Sequence, residues 1–207
     1  WQGRPSPDKA YLHENIRPLD LSGGGFPEQG SKTPVLLGYA CDEGVRRNLG
    51  RPGAGSGPEA LRMALGKMPL LQGGSPILWD AGDIICMGHA MEAAQEAFGM
   101  QVGKLVSAGY LPMAIGGGHD IAYGHYLGLW SALGKETRLG ILNFDAHFDL
   151  REPEPLPHSG SPFLQIARHC AEHQNTFRYA CIGVRKDANP QELWEKAASL
   201  ETMIIPR

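Results

Sequence analysis

The chain has 207 residues with 19 Lys and Arg against 22 Asp and Glu, a formal net charge of −3. This length suits one domain that buries its own core, and so mild a charge gives no basic surface for nucleic acid or an anionic membrane. The four cysteines are widely spaced, so we expect free thiols and a cytoplasmic location. No apolar run reaches the ~18 residues of a membrane span, so we expect no membrane partner.

Residues 1–34 are rich in proline, glycine and charge and are predicted to form an irregular N-terminal arm, with a linker at 21–27. The single domain is predicted to occupy 35–207. Its predicted strands are 35–40, 77–84, 111–115, 138–144, 179–184 and 202–205. Its predicted helices are 59–67, 89–108, 121–133, 163–172 and 190–200, with a polar loop over 42–58. This alternation indicates an α/β fold with a mainly parallel, buried sheet.

The predicted strand 138–144 runs directly into Asp145-Ala146-His147-Phe148-Asp149. In an extended chain, alternation would point Asp145, His147 and Asp149 to one side. Ligands of parallel α/β sheets bind beyond the carboxyl ends of the strands. The sequence therefore predicts a metal site at this edge, although Asp145 and Asp149 could instead cap a helix, with His147 a satisfied polar residue.

A second predicted strand, 111–115, ends in three glycines followed by His119. The glycines would let the backbone turn sharply, so that His119 becomes a fourth ligand. Oxygen and imidazole ligands without cysteine suit Mn²⁺, and less decisively Zn²⁺ or Fe²⁺. A phosphate cradle is the alternative, but the stretch lacks the Lys-Ser/Thr of a P-loop and the Gly-x-Gly-x-x-Gly spacing.

Five segments taken in order resemble the ureohydrolases, the family of arginase, agmatinase and formimidoylglutamase. They are residues 42–58, 80–83, 116–119, 143–151 and 159–163. The resemblance implies a three-layer α/β/α fold and a binuclear manganese centre. In it His119 and Asp149 hold one ion, His147 holds the other, and Asp145 is the bridging, catalytic carboxylate.

Within this family, the amino-acid sequence of segments 143–151 and 159–163 is most similar to that of the formimidoylglutamase branch. That likeness implies hydrolysis of the amidine C–N bond of N-formimidoyl-L-glutamate to L-glutamate and formamide, in histidine degradation, by a hydroxide that bridges the metals. The alternatives are an agmatinase, an arginase, a guanidino-acid hydrolase, or a non-catalytic module that binds metal.

Arg151 stands where arginases have a small polar residue near the amino-acid end of their substrate. An arginine there can pair bidentately with a carboxylate, which N-formimidoylglutamate carries twice and agmatine lacks. The alternative is a surface pair with Glu152 or Glu154. The resemblance adds Ser159 and Gly160 as substrate-binding residues and His158 as a proton shuttle, with a solvated loop histidine as the alternative.

The family also has a later Ser-x-Asp-x-Asp metal motif, which these 207 residues lack. We therefore expect the fold to be incomplete at its C-terminus, as the N-terminal portion of one ureohydrolase domain. Alone, this piece is expected to bind Mn²⁺ weakly or not at all and to be inactive. An unpaired sheet edge would favour self-association, so a homo-oligomer stays open beside the small-molecule substrate as a partner.

Overall fold

The computed structural model describes residues 1–23, 26, 32–70 and 78–207. Residues 24, 25 and 27 of the predicted linker at 21–27, and the first residue of the strand predicted at 77–84, lie outside these residues. The described strands are β1 (Ile16–Pro18), β2 (Pro34–Ala40), β3 (Leu78–Ile85), β4 (Leu111–Ile115), β5 (Ile141–Phe144), β6 (Tyr179–Val184) and β7 (Met203–Pro206). The described α helices are α1 (Glu43–Arg47), α2 (Gly57–Gly66), α3 (Met91–Ser107), α4 (Ile121–Leu133), α5 (Pro162–Glu172) and α6 (Gln191–Ser199).

The predicted alternation of strands and helices is confirmed, and every described strand pair is parallel. The main shift is in β5, which begins at Ile141 rather than at residue 138. Ile141 is the first residue that pairs with β6, opposite Tyr179, so the preceding residues have no strand partner to extend the ladder.

The N-terminal segment is more ordered than its composition predicts. Leu12–Glu14 forms a 3-10 turn, and β1 pairs with β3. The prediction of an irregular segment is therefore wrong over these residues, because pairing with β3 orders a stretch too short to show periodicity. Pro18 is compatible with this strand because β1 lies at the edge of its sheet.

The predicted polar loop over 42–58 is wrong in two places. Helix α1 occupies its beginning, and α2 already starts at Gly57. The single turn of α1 is held by Glu43, whose carboxylate accepts hydrogen bonds from Arg46 and Arg47, three and four residues later on the same helix face. Composition alone does not reveal this turn.

The strands form two sheets, with orders β1-β3-β2-β4 and β5-β6-β7. In β2, Val35, Leu37 and Tyr39 pack in a core with α3. Gly38 faces the opposite way, where a Cβ atom would lie 3.0 Å from Cβ of Pro58 in α2. Helices thus cover both faces of this sheet, as the three-layer prediction requires.

The edge strands β4 and β5 have no strand partner on one side within the described residues. Leu142 and Phe144 of β5 are 69% and 77% exposed, and Leu111 and Met113 of β4 are also exposed. The predicted unpaired, apolar edge is therefore present on both sheets. In the described part of the chain no helix is long and apolar enough to cross a membrane.

Candidate metal centre

The turn after β4 delivers His119 and depends on glycine. Gly116 and Gly117 both have φ of 76°, a left-handed conformation that L side chains rarely adopt. A Cβ atom on Gly116 would lie 2.5 Å from the backbone nitrogen of Pro58, and one on Gly117 would lie 2.4 Å from the carbonyl oxygen of Tyr39. The glycines therefore make the sharp turn that the sequence predicts.

Three of the four predicted ligands come together at the ends of β4 and β5. The Nδ1 atom of His119 lies 2.6 Å from Oδ2 of Asp149 and 3.4 Å from Oδ2 of Asp145. One potential ligand atom from each residue lies within 4.8 Å of those of the other two. An imidazole and two carboxylates at this separation are a donor set that accommodates Mn²⁺.

The fourth predicted ligand, His147, stands beside Asp145 and outside that group of three. The Oδ1 atom of Asp145 accepts a hydrogen bond from the backbone N–H of His147 at 2.9 Å and lies 3.1 Å from its Nδ1. The two oxygens of Asp145 thus face different partners, Oδ2 toward His119 and Oδ1 toward His147.

The side chains do not converge by strand alternation, as the sequence suggested. Strand β5 ends at Phe144, the backbone then bends, and Asp149 has φ of 46°. Asn189 holds this bend, because its side chain donates to the carbonyl oxygen of Ala146 at 2.8 Å and accepts from the N–H of Phe148 at 3.1 Å. Sequence reasoning missed Asn189, which lies 40 residues beyond Asp149 in the chain.

The electrostatics of the cluster favour a positive charge. Burial by itself lowers the pKa of His119, but the hydrogen bond to Asp149 and the charges of Asp149 and Asp145 outweigh it and raise that pKa. The negative charges that stabilise a proton on His119 would also stabilise a metal cation at the same position.

A buried carboxylate that the sequence analysis did not single out supports the turn from behind. Asp120 is fully buried, and its Oδ2 accepts a hydrogen bond from the hydroxyl of Tyr39 at 2.8 Å. Burial raises the pKa of Asp120 to about 6. Its backbone carbonyl accepts from the amide of Gln95 at 2.8 Å, which ties the turn to α3.

Arg151 is exposed, and among the described residues no carboxylate lies within ion-pair distance of its guanidinium. The predicted alternative of a pair with Glu152 is wrong, because Glu152 binds Lys196 at 2.7 Å and also Arg168. Glu154 forms no ion pair with Arg151 either. With no acidic partner in the described part of the chain, the guanidinium can meet an anion from outside it.

His158 is buried, and both nitrogens of its ring form hydrogen bonds with backbone groups. Its Nδ1 accepts from the N–H of Gly160 at 3.1 Å, and its Nε2 then donates to the carbonyl oxygen of Glu152 at 3.1 Å. Burial lowers the pKa of His158. The alternative of a solvated loop histidine is wrong, and these contacts do not support the proton shuttle, which stays a prediction.

Ser159 and Gly160 lie beside Arg151. The backbone N–H of Arg151 donates to the carbonyl oxygen of Gly160 at 2.9 Å, and that of Ser159 donates to the carbonyl oxygen of Gly44 at 3.0 Å. The first bond joins the loop after Arg151 back to Arg151, close to the candidate metal ligand Asp149. The second bond joins the same loop to helix α1.

The family model of the arginase family matches residues 32–205. The chain belongs to the arginase family. This membership agrees with the glycine turn before His119 and with the carboxylates that meet its imidazole.

Individual arginase-family relatives carry a narrower name. The chain is 49% identical over 178 residues to the formimidoylglutamase of Chromobacterium violaceum, covering 84% of this chain and 55% of that protein. It is 42% identical over 201 residues to the formimidoylglutamase of Geobacillus thermodenitrificans, covering 95% of this chain and 61% of that protein. The chain thus spans roughly three fifths or less of the length of these relatives.

Solved structures show the same fold. The formiminoglutamase of Trypanosoma cruzi with Mn²⁺ superposes with a TM-score of 0.76 at 26% identity, covering 87% of this chain and 63% of that one. The formimidoylglutamase of Bacillus subtilis superposes with a TM-score of 0.81 at 21% identity, covering 98% and 61%. The second likeness is one of fold alone.

Proposed function

We propose that the chain forms the metal-binding and substrate-reading part of a manganese-dependent formimidoylglutamase. The reaction is hydrolysis of the amidine C–N bond of N-formimidoyl-L-glutamate to L-glutamate and formamide. The observation that carries the proposal is the cluster of His119, Asp145 and Asp149, followed two residues later by Arg151, which has no ion-pair partner among the described residues. The names of the relatives support the same substrate.

The donor set suits two manganese ions. His119 and Asp149 would hold one ion, His147 would hold the second, and Asp145 would bridge them, in keeping with the opposite directions of its two oxygens. Two such ions lower the pKa of a water between them and so supply a nucleophile at neutral pH.

Arg151 selects the substrate by charge. Its guanidinium presents a fork of N–H donors that matches a carboxylate, and its charge repels a cationic substrate such as agmatine. Because no acidic side chain of the described residues neutralises it, the full charge of Arg151 faces the incoming molecule. Ser159 and Gly160 would contact the amino-acid end of the substrate beside Arg151.

The free thiols of the four cysteines suit a reducing compartment. They support our proposal that the enzyme works in the cytoplasm, in histidine degradation.

The test is a substrate panel assayed with the full protein loaded with Mn²⁺. We expect formamide and glutamate from N-formimidoylglutamate, with kcat/KM at least about 100-fold above that for agmatine, arginine or a guanidino acid. For agmatine, which has no carboxylate, a missing charge pair of roughly 3 kcal/mol gives a ratio of that size. Release of urea from any guanidine at a higher kcat/KM would instead assign another branch of the family. Bound metal without turnover of any compound would assign a non-catalytic module.

A further inference from the structure

Asn48, the residue that follows α1, lies against the loop that carries the proposed substrate-binding residues. Its side-chain amide donates to the hydroxyl of Ser159 at 3.3 Å. A Cβ atom on Gly160 would lie 3.1 Å from Nδ2 of Asn48 and 3.2 Å from Cδ of Arg151. Three polar side chains, those of Asn48, Arg151 and Ser159, therefore surround the bare backbone of Gly160.

We propose that Asn48 is a specificity-determining residue that donates a hydrogen bond to the substrate carboxylate bound by Arg151. This inference rests on the proposed function and deepens it, because it assigns a second donor to the same carboxylate.

The hydrogen-bonding capacity of the groups supports the assignment. A carboxylate offers about four acceptor positions, and the fork of one guanidinium fills two of them. The amide of Asn48 carries two N–H donors, and within the described residues only one has a partner, the hydroxyl of Ser159. Its nitrogen and Cδ of Arg151 both lie close to the position that a Cβ atom on Gly160 would occupy, at 3.1 and 3.2 Å.

Helix α1 fixes the position of Asn48 relative to Arg151. The backbone N–H of Ser159 donates to the carbonyl oxygen of Gly44 at 3.0 Å. Arg47 donates to the carbonyl oxygen of Pro157 at 3.0 Å and, through Nε, to the buried carboxylate of Glu43 at 2.9 Å. The donors are thus held in place before the substrate arrives, which lowers the entropy cost of binding.

The absence of a side chain at Gly160 follows from the same arrangement. Contacts of 3.1 and 3.2 Å to a Cβ atom would force Asn48 and Arg151 apart by a few tenths of an ångström. Glycine at this position lets both side chains approach one carboxylate.

The experiment compares Asn48→Ala and Asn48→Asp with the parent in the full Mn²⁺-loaded protein. For N-formimidoylglutamate we expect KM to rise about tenfold in Asn48→Ala, since a hydrogen bond to a charged group is lost. We expect a larger rise in Asn48→Asp, whose carboxylate repels the substrate. The value of kcat should stay within about twofold in Asn48→Ala, and the metal content should not change in either variant.

Two comparisons make the result decisive. Asn175→Asp is the matched control. Asn175 lies on the loop that follows α5, where its side-chain amide donates to the carbonyl oxygen of Lys135 at 3.0 Å. We expect unchanged kinetics in this variant. A simple amidine without a carboxylate should be hydrolysed equally by the parent and the Asn48 variants. Unchanged KM for N-formimidoylglutamate, or an equal loss with both substrates, would overturn the role of Asn48. A parent protein that does not hydrolyse N-formimidoylglutamate would instead overturn the proposed function.

Discussion

The imidazole of His119 and the carboxylate of Asp149 lie 2.6 Å apart, between Nδ1 and Oδ2, although they follow strands of two different sheets. The pair therefore joins the two sheets at their carboxyl ends. Asp145 adds a second carboxylate 3.4 Å from the same nitrogen. Two carboxylates around one imidazole leave an excess of negative charge at this junction, which a bound cation would neutralise.

Removing either partner of this pair should abolish metal binding at one position. We expect His119→Asn and Asp149→Asn to lower kcat/KM for N-formimidoylglutamate by about 100-fold or more, because even groups behind metal ligands are worth 10–100-fold. The bound manganese, measured by elemental analysis after gel filtration, should fall by about one ion per chain. His173→Gln, a change at an exposed histidine, is the control and should keep both. Full manganese occupancy in His119→Asn would contradict its assignment.

His147 and Asp145 should separate the two ions. His147→Asn removes a residue that contacts only the Oδ1 side of Asp145, so we expect one ion to remain. Asp145→Asn weakens the bridging carboxylate, so we expect both ions to bind more weakly. Titration with Mn²⁺ followed by electron paramagnetic resonance distinguishes the two results. Equal stoichiometry in both variants would show that Asp145 does not bridge.

Elements with a clear apolar pattern could be predicted from the sequence, whereas two short elements that are held by distant partners could not. Helix α4 and strand β4 have the predicted bounds, because each combines a clear pattern with a glycine boundary. Strand β1 has three residues, and α1 has five. These elements are specified by partners far away in the chain, β3 for the first and the loop before Ser159 for the second, and local propensity carries no information about such partners.

The candidate site shows the same division. The grouping of His119, Asp145 and Asp149 could be predicted because metal-ligand residue types follow two apolar strands, and the role of His147 stays a prediction. Asn189 and Asn48 could not, because asparagine is common in loops and its role here depends on which backbone or side-chain group lies opposite. The backbone bend at Asp149 could not be predicted from the sequence either, because the same motif is equally compatible with an extended strand.

The buried carboxylate of Glu43 should make stability depend on acid pH. Glu43 is 3% exposed. Hydrogen bonds from Arg46, His89 and Arg47 outweigh the effect of burial and hold the pKa of Glu43 well below its usual range. A lowered folded-state pKa stabilises the protein above the unfolded value of about 4.3, and this stabilisation is lost as the pH falls from there toward the folded-state pKa.

Glu43→Gln should therefore lower the free energy of unfolding at pH 7 by about 1.5–3 kcal/mol, the contribution of a hydrogen bond to a charged group. The difference between the variant and the parent should shrink below about pH 4, where the parent's carboxylate begins to lose its charge. Urea unfolding between pH 7 and pH 3 measures both effects. Glu96→Gln, a change at an exposed glutamate of α3, serves as the control, and a pH-independent difference for Glu43→Gln would contradict the prediction.

The unpaired edges of β4 and β5 should make the 207-residue chain associate with itself. Leu142 and Phe144 leave apolar surface open along β5, and the free backbone groups of this strand can pair with another chain. Replacing Phe144 by lysine adds a charge that opposes such pairing, so we expect a larger monomer fraction in sedimentation velocity at micromolar concentration. Met100→Lys is the matched control, because Met100 is an exposed apolar residue of helix α3 and does not belong to an edge strand. If Met100→Lys raised the monomer fraction as much as Phe144→Lys, association would be a general effect of apolar surface rather than of the β5 edge.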